Sequence, residues 1–308
     1  MYIRTTTLGT TTTILNDILS SQAKYNELSQ QSSSGLKVAK PSDDPSSAKS
    51  ILDMNAKLVQ LKGYLTNMST TQTELDTQDG VLASLTNLIQ EASDLATQAA
   101  NGTYSQTDLN MMKTQVDYVL DSVLDLANTQ YNGNYIFSGA NTSTQTYTVD
   151  AAGSINYNGT LSTDNYQRYV QIADGVSVAI NATGDQVFGS YDATTDTGTG
   201  IIGTLKALSN AMGAGDTAGI SGSLTPLLSD LDTASLVRTK TVAIGSKFEI
   251  TENAINTAIT NLTSYKSELE DIDLSEVLTK LASAKVAMEA TMSVSAQTMS
   301  KLSLLSYL

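Results

Sequence analysis

The sequence predicts a mainly α-helical chain with one β insertion, an α+β architecture. In the two arms, before about residue 130 and after about residue 200, apolar residues recur every three to four positions, which is typical of helices. Between the arms, apolar and polar residues alternate, which is typical of short strands. Because 6% of the residues are aromatic and none is tryptophan, we expect a long antiparallel helical bundle or coiled-coil rod with a small all-β outer domain, and no large globular core.

The N-terminal arm begins with two predicted helices that a proline-containing turn separates. The first should end near Gly35, since glycine readily takes the left-handed conformation that follows a helix. Asp44 predicts an N-cap for the second helix, with Pro45 in its first position. The apolar face of the first helix consists of Ile14, Ile18, Tyr25 and Leu28, and the second helix carries Ile51, Leu52, Leu58 and Leu61.

Two further apolar stripes predict a helical hairpin. One runs from Leu65 to Ala99 with the spacing of a coiled-coil seam and ends at Asn101-Gly102. The other runs from Leu109 to Leu126 and returns along the first as the second arm of the hairpin.

At Asn132-Gly133 the pattern changes from a helical period to a period of two. Five short strands are predicted at 135–137, 146–149, 155–157, 166–172 and 176–180, with glycine and asparagine turns between them. A polar loop is expected over 190–200. We therefore predict a β-rich outer domain over residues 134–200.

The C-terminal arm returns to helix. Stripes begin at Ile201, run from Leu224 to Leu236 and from Val242 to Leu269, and end in a last helix over Leu274 to Leu305. One side of the last helix is predicted to carry Val277, Leu281, Ala284, Met288, Met292, Met299 and Leu302. Two helical domains follow: an inner one over 1–45 plus 274–308, and a middle rod over 46–133 plus 201–273.

Composition excludes several classes of function. The 17 basic and 31 acidic residues give a net charge of −14, which disfavours binding to nucleic acid. With no cysteine and no histidine, the chain has no thiol nucleophile, no Ser-His-Asp arrangement and no zinc site of the usual ligands, so we expect no enzyme activity, no cofactor and no metal site. The N-terminus has no apolar core of a cleaved signal peptide, and no stretch of about 20 apolar residues predicts membrane insertion.

Four local motifs have structural interpretations that we favour. The G-T-G-I-I-G of 198–203 matches a dinucleotide-binding pattern but follows a polar loop, so it indicates a loop and a helix start. Asp196-Thr197-Gly198 indicates a turn. The acidic run 268–276 indicates helix capping by Asp273 and Glu276, and the pair at 43 and 44 marks a helix start.

The stripes at both ends of the chain are narrow, and their polar faces are rich in Ser, Thr, Asn and Gln. The apolar area available to the N-terminal helix cannot offset the entropy lost when its residues become ordered. We expect the two ends to be poorly ordered in a free monomer and to fold on assembly with other copies.

Five segments carry a family resemblance. They are S-S-G-L-K-V-A-K-P-S-D-D-P-S-S-A (33–48), A-N-G-T-Y-S-Q-T-D (100–108), L-A-N-T-Q-Y-N-G-N-Y-I-F-S-G (126–139), T-G-D-Q-V-F (183–188) and the Leu/Met-rich last helix. Together, in this order, they resemble the flagellin superfamily, and within it the proteins of the hook–filament junction. The resemblance covers both helical arms and the start of the β insertion.

The resemblance implies a structural subunit of the bacterial flagellum. Such a subunit forms a ring-like layer of copies between the larger hook-associated protein and the flagellin filament, with its terminal helices inside the tube and its β insertion outside. It is exported unfolded through the flagellar type III apparatus with an export chaperone, so the mature protein is extracellular.

Residue roles carried over by position fall into two sets. The implied assembly interface comprises Ile14, Ile18, Tyr25, Leu28, Leu281, Met288, Met292, Met299, Leu302 and Leu305. The implied middle-shell packing comprises Leu75, Leu82, Leu85, Ile89, Leu120, Val123 and Leu126.

Alternative functions stay open at this point. The first is flagellin itself, although flagellins usually read D-D-A-A where this chain has Asp43-Asp44-Pro45-Ser46. The second is a secreted adhesin or carbohydrate-binding protein whose binding site would lie in the β insertion. An enzyme in that insertion would have to work without His, Cys, Lys or Glu.

Overall fold

The computed structural model describes residues 7–163 and 167–305, without the side chains of residues 7, 8, 10 and 301–305. It confirms the mainly α-helical chain with a β insertion. The helices are α1 (Thr7–Ser34), α2 (Pro45–Ala99), α3 (Gln106–Ala127), α4 (Gly184–Val187), α5 (Gly200–Ala214), α6 (Thr217–Gly222), α7 (Leu224–Glu270) and α8 (Leu274–Leu305). The strands are β1 (Gln130–Tyr131), β2 (Asn134–Tyr135), β3 (Tyr147–Val149), β4 (Ile155–Tyr157), β5 (Tyr169–Ala173), β6 (Val176–Ala179), β7 (Ser190–Asp192) and β8 (Thr197–Thr199).

The helix ends follow the local signals in the sequence. Gly35 has φ +75° directly after α1. The carboxylate of Asp44 accepts hydrogen bonds from the backbone N–H groups of Ser46 (3.0 Å) and Ser47 (3.2 Å) at the start of α2. At the start of α8, the carboxylate of Asp273 likewise accepts a hydrogen bond from the backbone N–H group of Glu276 (3.2 Å). The predicted caps are confirmed. The side chain of Glu276, however, forms an ion pair with Lys280 one turn later and does not complete a capping box with Asp273.

Two compact units divide the chain. One comprises Met1–Gln60 with Thr257–Leu308, and the other comprises Leu61–Asn256. Helices α2 and α7 contribute residues to both units, because each runs unbroken across a unit boundary. We call the unit of Met1–Gln60 with Thr257–Leu308 the terminal unit, and the unit of Leu61–Asn256 the central unit.

The terminal unit is built on the pair α1 and α8. The two helices pack against each other, and the bridge between Leu36 and Asp271 joins the turns at one end of the pair. Ser21 on α1 lies 3.5 Å from Thr291 on α8, measured between the hydroxyl oxygens, so the helices run antiparallel. A small buried cluster of Val38, Ala48 and Ile51, with Leu269 packed on it, closes the same end.

The central unit contains one large hydrophobic core. The buried faces of α2, α3, α5 and α7 contribute to it, and α3 packs along α5. The core continues into the β insertion through the side chains of Phe137, Tyr147 and Phe188. The helical part and the first β elements therefore share one buried surface.

The β insertion forms three small antiparallel sheets. A four-stranded sheet has the order β3-β4-β7-β8, while β1-β2 and β5-β6 are separate hairpins. Four of the five predicted strands are present, at 147–149, 155–157, 169–173 and 176–179. Tyr166, the first residue of the strand predicted at 166–172, lies outside the described residues.

Two predictions in this region were wrong. Residues 135–137 do not form a strand, because β2 ends at Tyr135 and the buried side chains of Ile136 and Phe137 follow in a turn. Residues 190–200 do not form a loop, because β7 and β8 pair as a hairpin. The turn of this hairpin is held at Asp196, which has φ +50° and accepts hydrogen bonds from Tyr191 (2.7 Å) and Asn210 (2.9 Å).

Glycines in the G-T-G-I-I-G motif let the β7–β8 hairpin lie directly on α5. A Cβ atom at Gly198 would be 2.4 Å from the Cα atom of Gly203, and one at Gly189 would be 1.8 Å from the carbonyl oxygen of Thr199. Such distances are far below van der Waals contact, so only glycine fits. The motif serves close backbone packing at the start of α5. The predicted helix start is confirmed, but the predicted loop is wrong, because Gly198 and Thr199 belong to β8.

Candidate assembly interface

The predicted interface stripes meet in the α1–α8 pair. Ile14, Ile18 and Tyr25 are half-buried on α1, and Leu28 is buried. On α8, the matching positions are the buried Val277 and the half-buried residues Leu281, Ala284 and Met288. These side chains hold the two helices of one chain together. Whether they also contact other copies stays a prediction.

Met292 and Met299 do not continue the packed side of α8, contrary to the sequence prediction. Their side chains are 41% and 49% exposed. The packed side passes instead through Thr291, Ser295 and Thr298, which are buried or half-buried. The reason is geometric: both sets keep helical spacing, and the position of α1 selects the polar one. The side chains of Leu302 and Leu305 lie outside the described residues.

Sequence reasoning missed a second apolar surface on the same helices. Leu15 and Leu19 on α1 are 53% and 55% exposed, although each follows directly after a residue of the packed stripe. On α8 the further exposed apolar side chains include those of Leu278, Val286 and Val294. The pair Leu15 and Leu19 has the i, i+4 spacing of a stripe, so the signal was present in the sequence. We call these five residues with Met292 and Met299 the terminal apolar surface.

The predicted middle-shell residues lie in the core of the central unit. Leu75, Leu82, Leu85, Ile89, Leu120 and Val123 are buried, and Leu126 is half-buried. Their burial in one shared core holds α2 and α3 in the central unit. Their place in a shell of a larger assembly stays a prediction.

Two resemblance motifs meet where the helices pass into the β insertion. The side-chain amide of Asn128 donates to the carbonyl oxygen of Tyr147 (3.1 Å) and accepts from its N–H group (2.8 Å). The rings of Phe137 and Phe188 pack edge to face with centroids 5.0 Å apart. The motif at 126–139 and the motif at 183–188 therefore act together to fix the base of the insertion.

The same region buries a tyrosine hydroxyl. Tyr147 donates a hydrogen bond to the carbonyl oxygen of Gly189 (2.7 Å). Burial, together with the nearby Tyr157 and Asp185, raises the pKa of Tyr147 well above its ordinary value. The shift keeps the hydroxyl protonated at alkaline pH as well, so it can still donate this hydrogen bond there.

One carboxylate of the central unit has a shifted pKa beside a cleft. Burial raises the pKa of Asp230, and a hydrogen bond from the hydroxyl of Thr204 (2.7 Å) partly offsets the effect.

The described residues contain no group of three or more His, Cys, Asp and Glu side chains that could hold a metal ion. Among the helices of the described ranges, none combines the length and the apolar content that a membrane crossing requires.

The chain is similar in sequence to known flagellar proteins. Residues 6–142 match the family described as the bacterial flagellin N-terminal helical region. Flagellar hook-associated protein 3 of Escherichia coli (strain K12) is 29% identical over 177 residues, which cover 57% of this chain and 54% of that protein. The matched segment thus spans about half the length of that relative. Flagellin of Bacillus subtilis (strain 168) is 24% identical over 294 residues, which cover 92% of each chain.

A solved structure has a similar fold. The structure of a Vibrio parahaemolyticus protein assigned to the flagellar hook-associated proteins aligns with a TM-score of 0.65 and 20% identity. The alignment covers 74% of this chain and 100% of the solved one. At this identity, the likeness shows the fold alone.

Proposed function

We propose that this chain is a member of the flagellin superfamily and the structural subunit of the junction layer between the flagellar hook and filament. This is the role of the proteins called FlgL or hook-associated protein 3. Copies of the chain would form a ring-like layer on the larger hook-associated protein and present a surface on which flagellin assembles. The layer is extracellular and needs no chemistry besides packing.

The observation that carries the proposal is the terminal apolar surface. Seven exposed apolar side chains on α1 and α8 have no neighbour within the chain that covers them, among the residues that the structure describes. Several large exposed apolar side chains on one helix pair favour burial against another protein. In a flagellin-type subunit, that neighbour is another copy in the same tube.

Export and partners complete the proposal. Before assembly, the apolar helix faces at both ends would be held by an export chaperone and pass unfolded through the flagellar type III apparatus. After export, the hook-side partner would be the larger hook-associated protein, and the filament-side partner would be flagellin. The absence of cysteine is compatible with a fold that needs no oxidation after export.

Flagellin itself is the second candidate function. The match to Bacillus subtilis flagellin extends over nearly the whole chain, which favours this candidate. The higher identity to hook-associated protein 3 favours the junction role, as does the N-G-N-Y-I-F-S-G segment (132–139) that anchors the base of the insertion.

Fluorescent labelling separates the two candidates. The chain with a surface cysteine replacing an exposed serine of the β insertion, such as Ser177→Cys, is labelled with a thiol-reactive dye on live flagellated cells. Since the natural chain has no cysteine, the label is specific. The junction role predicts one spot at the base of each filament. Signal along the filament would instead establish flagellin, and unlabelled flagella would contradict both candidates.

A further inference from the structure

Helix α7 and its neighbour α2 form an acidic cleft in the central unit. The cleft has a volume of about 630 Å³, and its lining includes the carboxylates of Asp76, Glu249 and Glu252. Gly245 keeps it open, because a Cβ atom there would be 3.1 Å from the side-chain nitrogen of Gln72. Val242, which is 51% exposed, adds an apolar edge.

Among the described residues, most of the negative charge of this cleft has no cationic partner. Asp79, also in the lining, is paired with Arg238 through contacts of 2.8 Å and 3.3 Å. Glu249 and Glu252 have no ion pair or hydrogen-bond partner among the residues that the structure describes. The cleft therefore favours a cationic group with an apolar stem, which is the chemistry of a lysine side chain.

The other side of α7 carries a ridge with that chemistry. Leu236, Lys240 and Lys247 are exposed and follow one line along the helix at spacings of four and seven residues. At 3.6 residues per turn, this line lies about half a turn from the centre of the cleft residues of α7. Within the described part of the chain, neither lysine has an ion pair. We call these three residues the lysine ridge.

Opposite charges on opposite sides of one helix suit a head-to-tail contact. Each copy would offer a ridge on one side and a cleft on the other, so contacts of one kind continue from copy to copy and close a ring or extend a helix. The chain has a net charge of −14, so two copies repel each other unless positive patches meet negative ones. A second copy is therefore the partner that this pair of surfaces fits.

We propose that the lysine ridge of one copy docks in the acidic cleft of the next copy within the same layer. This inference rests on the proposed function and adds to it the side-to-side contact in the central unit. It is separate from the terminal apolar surface, which lies on other helices. The contact weakens as salt concentration rises, because exposed charges are screened.

Charge reversal tests the contact in cells whose only copy of the protein is the variant. Lys247→Glu should reduce the number of attached filaments about tenfold, since like charges then meet at every copy of the contact. Adding Glu249→Lys to the same chain should restore filament number, because each contact regains opposite charges. The two positions are two residues apart on α7 and do not face each other, so the swap acts between copies.

Lys62→Glu is the matched control, because Lys62 is an exposed lysine elsewhere on the central unit. It should leave filament number unchanged, and thermal unfolding of the purified variants should show that each chain still folds. Equal losses for Lys247→Glu and Lys62→Glu, or no rescue by Glu249→Lys, would overturn the proposal.

Cysteine cross-linking gives an independent readout in the cysteine-free chain. In oxidised flagella, Lys247→Cys combined with Glu249→Cys should yield dimers, trimers and higher multimers on a non-reducing gel. Each single cysteine should yield only monomer, since two ridges or two clefts do not meet. If the natural chain localises to the filament base but the double variant gives no multimers, the docking contact is wrong and the proposed function stands. If the natural chain does not reach the filament base, the proposed function itself fails.

Discussion

Gly189 shows how single residues determine where the β insertion meets the helices. Its φ is +76°, and a Cβ atom there would lie 1.8 Å from the carbonyl oxygen of Thr199. Its own carbonyl oxygen accepts the hydrogen bond of the buried Tyr147 hydroxyl. One position thus combines a left-handed backbone, a close approach of two chain segments and a buried hydrogen bond.

Gly189→Ala should destabilise the central unit by about 3 kcal/mol or more, because a clash with the backbone adds to the strain of a positive φ. Gly153→Ala is the matched control: Gly153 has φ +90° but open space around the added Cβ atom, so the cost should be only about 1 kcal/mol. Urea unfolding of both purified variants measures the difference. Equal free energies of unfolding would contradict the packing argument.

Local signals predicted the caps at Asp44 and Asp273, because an N-cap depends on hydrogen bonds within three residues. The assignment of Met292 and Met299 to the packed side of α8 was wrong for the opposite reason. Several lines of residues on a helix keep a spacing of three or four, and only the neighbouring helix decides which line is covered. Packing of this kind is not a local property of the sequence.

At the scale of elements, the β5–β6 hairpin is anchored on α2. Arg168, just before β5, forms an ion pair and hydrogen bond with Glu74 of α2, and both side chains are mostly buried. The amide of Gln171 donates to the hydroxyl of Tyr64 at 3.5 Å. The hairpin is therefore held on the helix by one mostly buried pair and one further hydrogen bond.

Glu74→Ala should release the hairpin and cost about 3 kcal/mol, because it leaves the guanidinium of Arg168 without its carboxylate in a mostly buried place. Hydrogen exchange should become faster over residues 167–180 and stay slow in α2. Asp53→Ala removes the partner of Lys49 from an exposed pair and should cost under about 0.5 kcal/mol. Unchanged exchange over the hairpin in Glu74→Ala would show that the pair does not anchor it.

The long helices were predictable because their apolar periods extend over many turns. The hairpin at 190–199 was not, because its strands are three residues each and mostly polar. Its structure depends on the glycine contacts with α5 and on the hydrogen bond from Tyr191 to Asp196, which join residues that no periodic pattern relates.

At the scale of the whole molecule, the chain divides its apolar residues between two uses. In the central unit the buried ones fill one large core that includes the base of the β insertion. In the terminal unit only one side of α1 and one side of α8 are covered, and the terminal apolar surface is left exposed. The sequence predicted the pairing of the terminal stripes and contained the spacing of Leu15 and Leu19, but which apolar side chains of α8 stay exposed depends on where α1 lies.

We expect the terminal helices to obtain their stable order from neighbouring copies. Hydrogen exchange of the purified chain, compared with the same chain in isolated hook–filament complexes, tests this claim directly. The account predicts fast exchange over 7–34 and 274–305 in the free chain, slow exchange over 65–127 in both samples, and slow exchange at both ends only in the complexes. Slow exchange over the whole free chain would contradict it.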